Sequence, residues 1–100
     1  MAGSGNVFAD LDFEQPDLEL AKARLSHMIA TEIASRKLTQ RAAAEVLGID
    51  QPRVSLLVRG KTGQFSLEKL IEFLERLSYD VHISATRAPT SDRGRVVVAV

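Results

Sequence analysis

The stretch Thr39–Gly60, TQRAAAEVLGIDQPRVSLLVRG, carries the signals of two short helices joined by a tight turn. Thr39 is a favourable N-cap, and the residues after it are mostly strong helix formers. Gly48 is expected to end this helix, because glycine readily takes the left-handed conformation that closes a helix C-terminus. Asp50 and Pro52 then suit the N-cap and the first turn of a second helix. These signals predict two helices packed across the turn.

The second helix of this pair is predicted to have a buried side and an open side. Val54, Leu57 and Val58 recur at helical spacing, so we expect them to face inward. Such a short helix packs against another helix and presents polar and basic side chains to solvent. This arrangement suits insertion into a DNA major groove. The alternative is a packed helical pair that binds no ligand. The residues expected to face outward are Gln51, Arg53, Ser55 and Arg59.

Several residues of this stretch also match, at the same spacing, a sequence pattern found in a known family. The segment resembles the helix-turn-helix of the lambda repressor, Cro and XRE-type regulators, which share the pattern Q-x3-A-x3-G-x2-Q-x2-V-S. Ala44 is small where the second helix crosses, and Val54 fills the angle between the helices. The resemblance implies a mostly α fold, a lambda-repressor-like bundle of four to five helices. The residues that carry it are Gln40, Ala44, Gly48, Gln51, Val54, Ser55 and Gly60.

A wider resemblance covers about residues 6–83. NVFADL, the segment LTQRAAAEVLGIDQPRVSLLVRGKTGQFSLEKLIEFLERL and YDVHI look like the XRE branch of small antitoxins of the HigA type. Members of that branch neutralise small basic toxins, RelE-like or HigB-like, and many also act as transcriptional regulators. The tail at residues 90–100 departs from a minimal member of the branch.

The resemblance assigns DNA-contacting residues. Gln51 is the first choice for base readout, since its amide can both donate to and accept from adenine. Ser55 can contact either base type, whereas Arg53 can pair with guanine or bind phosphate. Leu56 either meets a thymine methyl or joins the core. The residues expected to contact phosphates are Gln40, Arg41, Arg59, Lys61 and Thr62.

Composition sets the limits of these hypotheses. A chain of 100 residues is one small domain, and its 45% hydrophobic content is ordinary for a soluble protein. The absence of cysteine excludes disulfides and thiolate sites, and we see no secretion signal or membrane span, so we expect a cytoplasmic protein. With two histidines, no metal-ligand spacing and no phosphate loop, the sequence predicts neither an enzyme nor a cofactor.

Charge is distributed unevenly along the chain although the formal net charge is zero. Residues 1–34 hold six acidic against two basic side chains, and residues 35–61 hold six basic against two acidic ones. Positive charge therefore concentrates on the predicted helix pair, where DNA phosphates would lie. The alternative is that these basic side chains are only solvent-exposed charges at the helix ends and bind no ligand.

Three regions follow from these patterns. Residues 1–15 form an acidic arm that either packs on the domain or serves a protein partner. Residues 16–78 form the DNA-binding domain. It opens with a long helix from Pro16 to Arg36 or Lys37 and closes with a helix capped by Ser66, entered through a hydrophobic staple of Phe65 and Leu70. Residues 79–100 form an extension in which apolar residues no longer recur at helical spacing but at every second position, as in a β-strand.

The extension predicts a β-strand or hairpin used in dimerisation. Val81 and Ile83 alternate with polar residues, a loop follows, and a β-branched run begins at Val96. An isolated hairpin would leave an apolar edge open, so we expect strand pairing in a homodimer. Whether the strands pair within or between chains stays open. The residues expected at this contact are Val81, Ile83, Val96 and Val98.

Together these features predict a sequence-specific regulator, most simply a repressor. A dimer would place two recognition helices in successive major grooves about 34 Å apart and read a pseudopalindromic operator in double-stranded DNA, plausibly its own promoter. The alternative is a protein-binding module that neutralises a toxin.

Overall fold

The computed structural model of the protein describes residues 16–89 and 93–99. Within those ranges the chain forms four helices. They are α1 (Pro16–Ser35), α2 (Gln40–Leu47), α3 (Gln51–Val58) and α4 (Leu67–Arg76). The mostly helical bundle predicted from the sequence is therefore confirmed. The predicted acidic arm at residues 1–15 lies outside the described residues, and so do residues 90–92 of the loop before the last apolar run.

Each helix begins and ends where its local chemistry requires. The Ser66 hydroxyl accepts a hydrogen bond from the Lys69 N–H at 3.1 Å, which satisfies one of the N–H groups that the first turn of α4 leaves without a partner. Helix α1 ends at Ser35, one or two residues before the predicted end at Arg36 or Lys37, because Lys37 takes a positive φ of 56° and turns the chain. The Leu38 N–H then bonds back to the Ile33 carbonyl at 3.0 Å.

The core lies where α1 crosses α3 and α4, and its centre is made of side chains that are almost fully enclosed. Phe65 and Leu70, the predicted hydrophobic staple, are 2% and 0% exposed and belong to the same cluster. Burial of this apolar surface stabilises the fold at roughly 25 cal/mol per Å² removed from water. The cluster consists of Leu25, Ile29, Ile33, Ala43, Ala44, Leu47, Val54, Leu57, Phe65, Leu70, Phe73, Leu74 and Leu77.

The C-terminal β-strand or hairpin is not found. Residues 79–89 and 93–99 contain no strand, so that part of the prediction is wrong for the described chain. A strand needs a hydrogen-bonded neighbour, and the tail instead bonds to side chains of α1. The Val96 N–H donates to Asp17 Oδ2 at 2.9 Å, and Arg24 Nη1 donates to the Val98 carbonyl at 3.2 Å. Val98 also packs against the core.

A second cluster of polar contacts joins the end of α1 to the residues after α4. Arg36 bonds Glu32 at 2.7 Å and also reaches the Leu77 carbonyl, while the Tyr79 hydroxyl donates to Glu32 at 2.9 Å. The hydrogen bonds from Arg36 and Tyr79 lower the pKa of Glu32. The same bond to Glu32 raises the pKa of Tyr79. These contacts hold the end of α1 and the residues after α4 together.

Candidate nucleic-acid interface

Helices α2 and α3 are fixed by caps that the sequence predicted. The Thr39 hydroxyl accepts from the Ala42 N–H at 3.0 Å, and the Asp50 carboxylate accepts from the Arg53 N–H at 2.9 Å. Between the helices Gly48 takes φ 72° and ψ 32°, the left-handed conformation expected of it. Both helices therefore have defined starts, and three residues separate them.

The angle between α2 and α3 is set by small and apolar side chains. Ala44 and Val54 are 9% and 0% exposed, which confirms them as the packing residues of the pair. From behind, the buried Ser26 hydroxyl of α1 donates to the Leu57 carbonyl at 3.0 Å and holds the end of α3 in place. Ser26 and the packing of Ala44 against Val54 thus hold α3 from its inner side.

The polar side chains that the sequence assigned to the outer side of α3 differ in exposure. Gln51 and Arg59 are exposed, whereas Arg53 and Ser55 are half-buried. Arg59 donates from Nε to the Ser55 carbonyl at 3.2 Å, so its side chain lies along the helix end. Val58, predicted to face inward, is 37% exposed, whereas Val54 and Leu57 are fully buried in the core. Leu56 packs at the edge of the core and is half-buried.

The predicted phosphate-contacting residues occupy two places. Gln40 and Arg41 are exposed at the start of α2, and Lys61 is exposed just after α3. Thr62 is different, since it is only 8% exposed and its carbonyl accepts from the Phe65 N–H at 3.0 Å. Of the two loop residues, Lys61 is therefore the one exposed to solvent.

Two open depressions flank the outer side of α3. The first has a volume of about 700 Å³ and lies at the N-terminal end of α3, toward α2 and α4. The second, about 530 Å³, lies at the opposite end and is lined by residues such as Leu56, Arg59 and Lys61. The first is lined by Arg41, Ala44, Glu45, Gly48, Ile49, Asp50, Gln51, Arg53 and Lys69. Six of the predicted DNA-contacting residues thus line these two depressions: Arg41, Gln51, Arg53, Arg59, Lys61 and Thr62.

The structure adds residues of α4 that sequence reasoning did not assign to the site. Lys69 lines the first depression, and the Arg76 guanidinium lies over Gly48, where a Cβ would come within 3.1 Å of Arg76 Nη1. Both cations pair with Glu72, at 3.3 and 3.1 Å respectively, and these hydrogen bonds lower the pKa of Glu72. The available signal was the spacing of Lys69, Glu72 and Arg76 on one helix face.

The residues predicted at a dimer contact do not share one environment. Val81 and Val98 are half-buried and pack against the chain's own core. Ile83 is 79% exposed and Val96 is 41% exposed. Only the latter two present apolar surface to a second molecule in this arrangement.

The described residues show neither a membrane-crossing helix nor a metal cluster. No helix within residues 16–89 and 93–99 is both long and apolar enough to cross a bilayer. In the same ranges, no group of three or more histidine, aspartate or glutamate side chains could hold a metal ion.

The capped helix pair with an open, polar second helix defines a helix-turn-helix protein. The model of a helix-turn-helix domain family matches residues 7–86 of the sequence. A solved structure described as an XRE-family transcriptional regulator has a TM-score of 0.76 and 36% sequence identity, over 85% of this chain and 97% of that one. No curated protein gave a significant match. The chain belongs to the helix-turn-helix domain family and is of the XRE type, a class of DNA-binding transcriptional regulators that are typically not enzymes.

Proposed function

We propose that the protein is a sequence-specific repressor that binds a pseudopalindromic operator as a dimer. The observation that carries the proposal is the open side of α3, where the exposed Gln51 lies at the capped start of the helix and Arg59 at its end. An α-helix fits the major groove, and an amide at its N-terminal end is placed to meet base edges.

Charge around α3 supports DNA as the ligand. Arg41, Arg59 and Lys61 are exposed on either side of the helix, although the whole chain has no net charge. Contacts from such side chains to phosphates position a protein on DNA, and they make its affinity fall with salt concentration. These basic side chains therefore supply the part of the binding that does not depend on DNA sequence. Gln51 and Ser55 supply the contacts that recognise the DNA bases.

The dimer is proposed from exposed apolar side chains of the C-terminal extension. Ile83 and Val97 are 79% and 66% exposed, and Val96 lies beside Val97 at 41%. A second copy of the chain would remove this apolar surface from water. We expect Ile83→Lys to shift the protein toward the monomer in sedimentation analysis and to weaken operator binding. An unchanged dimer would show that the contact lies elsewhere.

The DNA-reading role is tested by one substitution with a matched control. Gln51→Ala should cost about 1–3 kcal/mol on the specific site and relax preference at one base pair, because a bidentate contact is lost. Thr31→Ala removes a polar group from an exposed position on α1 and should leave both affinities unchanged. Equal losses for Gln51→Ala on specific and random duplexes would remove Gln51 from the readout.

The antitoxin role is a second proposal, favoured by charge in the sequence. Residues 1–34 carry a net charge of −4, which would complement a basic toxin. Its suggested surface, residues 1–15, lies outside the described residues. Deletion of that segment should abolish binding to a RelE-like or HigB-like toxin while DNA binding persists. Retained toxin affinity would exclude the arm as the binding surface.

A further inference from the structure

Two cations at the α3–α4 edge are held by two aromatic rings in contact. The Arg53 guanidinium lies 5.3 Å from the centroid of the Phe65 ring, and Lys69 Nζ lies 5.7 Å from the centroid of the Phe73 ring. The two rings meet edge to face with centroids 5.8 Å apart. Both are almost fully buried, so they form a fixed base beneath side chains that would otherwise be mobile.

Both cations border the same open space. Arg53 and Lys69 line the depression at the start of α3, together with Gln51 and Arg41. Arg53 is half-buried against Phe65, whereas Gln51 on the same helix is exposed. The guanidinium is therefore held on the side of α3 that contacts Phe65, at the border of the depression.

Lys69 is paired with a carboxylate that it can leave. Its ammonium lies 3.3 Å from Glu72, and the side chains of the pair are 39% and 41% exposed. Exposed ion pairs of this kind are weak. A DNA phosphate that reached the depression could replace Glu72 as the partner of Lys69, and Glu72 would keep its bond to Arg76 at 3.1 Å.

We infer that Lys69 and Arg53 bind the DNA sugar–phosphate backbone beside the recognition helix, with Phe65 and Phe73 as positioning residues and Glu72 as a competing counter-ion. This rests on the proposed DNA-binding function and deepens it. It assigns Arg53 to phosphate rather than to guanine, and it adds α4 to the interface. The chemistry is that of ammonium and guanidinium groups meeting phosphate oxygens.

The test is the salt dependence of DNA affinity for Lys69→Gln. Each phosphate contact contributes a slope of about −0.9 to the plot of log affinity against log salt concentration on duplex DNA. Lys69→Gln and Arg53→Gln should each reduce the slope by about one on specific and random duplexes alike, with the ratio of the two affinities unchanged. Arg87→Gln removes an exposed charge outside the interface and should leave the slope unchanged.

Two further variants separate the inference from a merely structural role. Glu72→Gln keeps the shape of the side chain but removes the competing charge, so DNA affinity should rise. Phe65→Leu keeps every charge and should still reduce the slope, because Arg53 loses the ring that holds it; circular dichroism would establish that this variant is folded.

The outcomes distinguish the two proposals. If the unsubstituted chain binds DNA but Lys69→Gln leaves the slope unchanged, the inference fails and the proposed function stands. A change of base preference in Arg53→Gln would overturn the assignment of that residue to phosphate. Unchanged or weaker DNA binding by Glu72→Gln would show that Glu72 does not compete with DNA phosphate for Lys69. A salt slope equal to that of the unsubstituted protein in folded Phe65→Leu would show that Phe65 does not position Arg53. An unsubstituted chain that binds no duplex would overturn both proposals.

Discussion

Replacing Gly48 by alanine should destabilise the protein through two separable effects. The first is backbone strain, because Gly48 has φ +72° and an L-residue with a Cβ pays about 1–2 kcal/mol in the left-handed region. Alanine also restricts the unfolded chain, which returns about 0.4–1 kcal/mol. The backbone effect alone therefore predicts a loss of about 1 kcal/mol in the free energy of unfolding.

The second effect is contact with Arg76. The added Cβ would lie 3.1 Å from Arg76 Nη1 and 3.3 Å from Cζ, so the guanidinium must move by a few tenths of an ångström. Forcing a side chain away from its preferred rotamer costs roughly 0.5–1.5 kcal/mol. The guanidinium is the far end of a flexible side chain, so we expect the lower part of that range and a total of about 1.5–2 kcal/mol for Gly48→Ala.

Gly60 provides the matched control for this prediction. It has nearly the same backbone conformation, with φ +76°, but a Cβ there would meet no atom within 4 Å. Gly60→Ala should therefore show the backbone effect alone. The difference between the two variants isolates the contact with Arg76.

Urea unfolding followed by circular dichroism measures both variants, and the slope of free energy against urea should not change. The difference between Gly48→Ala and Gly60→Ala should disappear in an Arg76→Ala background, since the two sites are coupled only through that side chain. If Gly48→Ala is no less stable than Gly60→Ala, or if the difference persists without Arg76, the reasoning is refuted.

Two further predictions concern the anchors around the bundle. Ser26→Ala should lower the free energy of unfolding by about 1 kcal/mol and no more, because the Leu57 carbonyl keeps its second donor, the Gly60 N–H at 3.0 Å; urea unfolding checks this, and a neutral result would contradict the role of the bond. The pKa of Asp17 is lowered, chiefly by the hydrogen bond from the Val96 N–H, so the bond between tail and α1 should be present above the ordinary pKa of aspartate and be lost as the pH falls through the lowered pKa. The amide resonance of Val96 followed against pH measures this, Asp17→Asn is the control, and a resonance that titrates equally in both proteins would refute it.

The helix pair was predictable because its determinants are local. Thr39 and Asp50 lie next to the helices they cap, and Gly48 needs its positive φ at the turn itself, so a few adjacent residues contain the whole signal. The buried Ala44 and Val54 followed from the same spacing. The exposure of Val58 did not follow from the spacing. Periodicity gives the direction of a side chain, but it does not give the width of the neighbouring surface that covers it.

The tail was not predictable in the same way. Alternating and β-branched residues favour a strand, but they do not say which groups its backbone will bond to. Here Asp17 and Arg24 of α1 supply the partners of Val96 and Val98, across more than seventy residues of chain. A contact between side chain and backbone at that separation leaves no periodic signal.

The part of the interface on α4 was missed for a related reason. Lys69 reads in the sequence as a solvated charge near a helix start, and only the packing of Phe65 on Phe73 brings it beside Arg53. The order of residues along the chain therefore predicts the recognition helix well. It predicts poorly which side chains from other helices border it.

The measurement that tests the central claim most directly is selection of bound sequences from a randomised pool of DNA duplexes, followed by affinity of the selected site against random DNA at several salt concentrations. If the protein binds DNA as a sequence-specific dimer, the selected sequences should form an inverted repeat with half-sites about one helical turn apart. The affinity for the selected site should exceed that for random DNA by a factor of at least ~10³. No enriched sequence, with weak binding that falls steeply with salt, would contradict sequence-specific regulation.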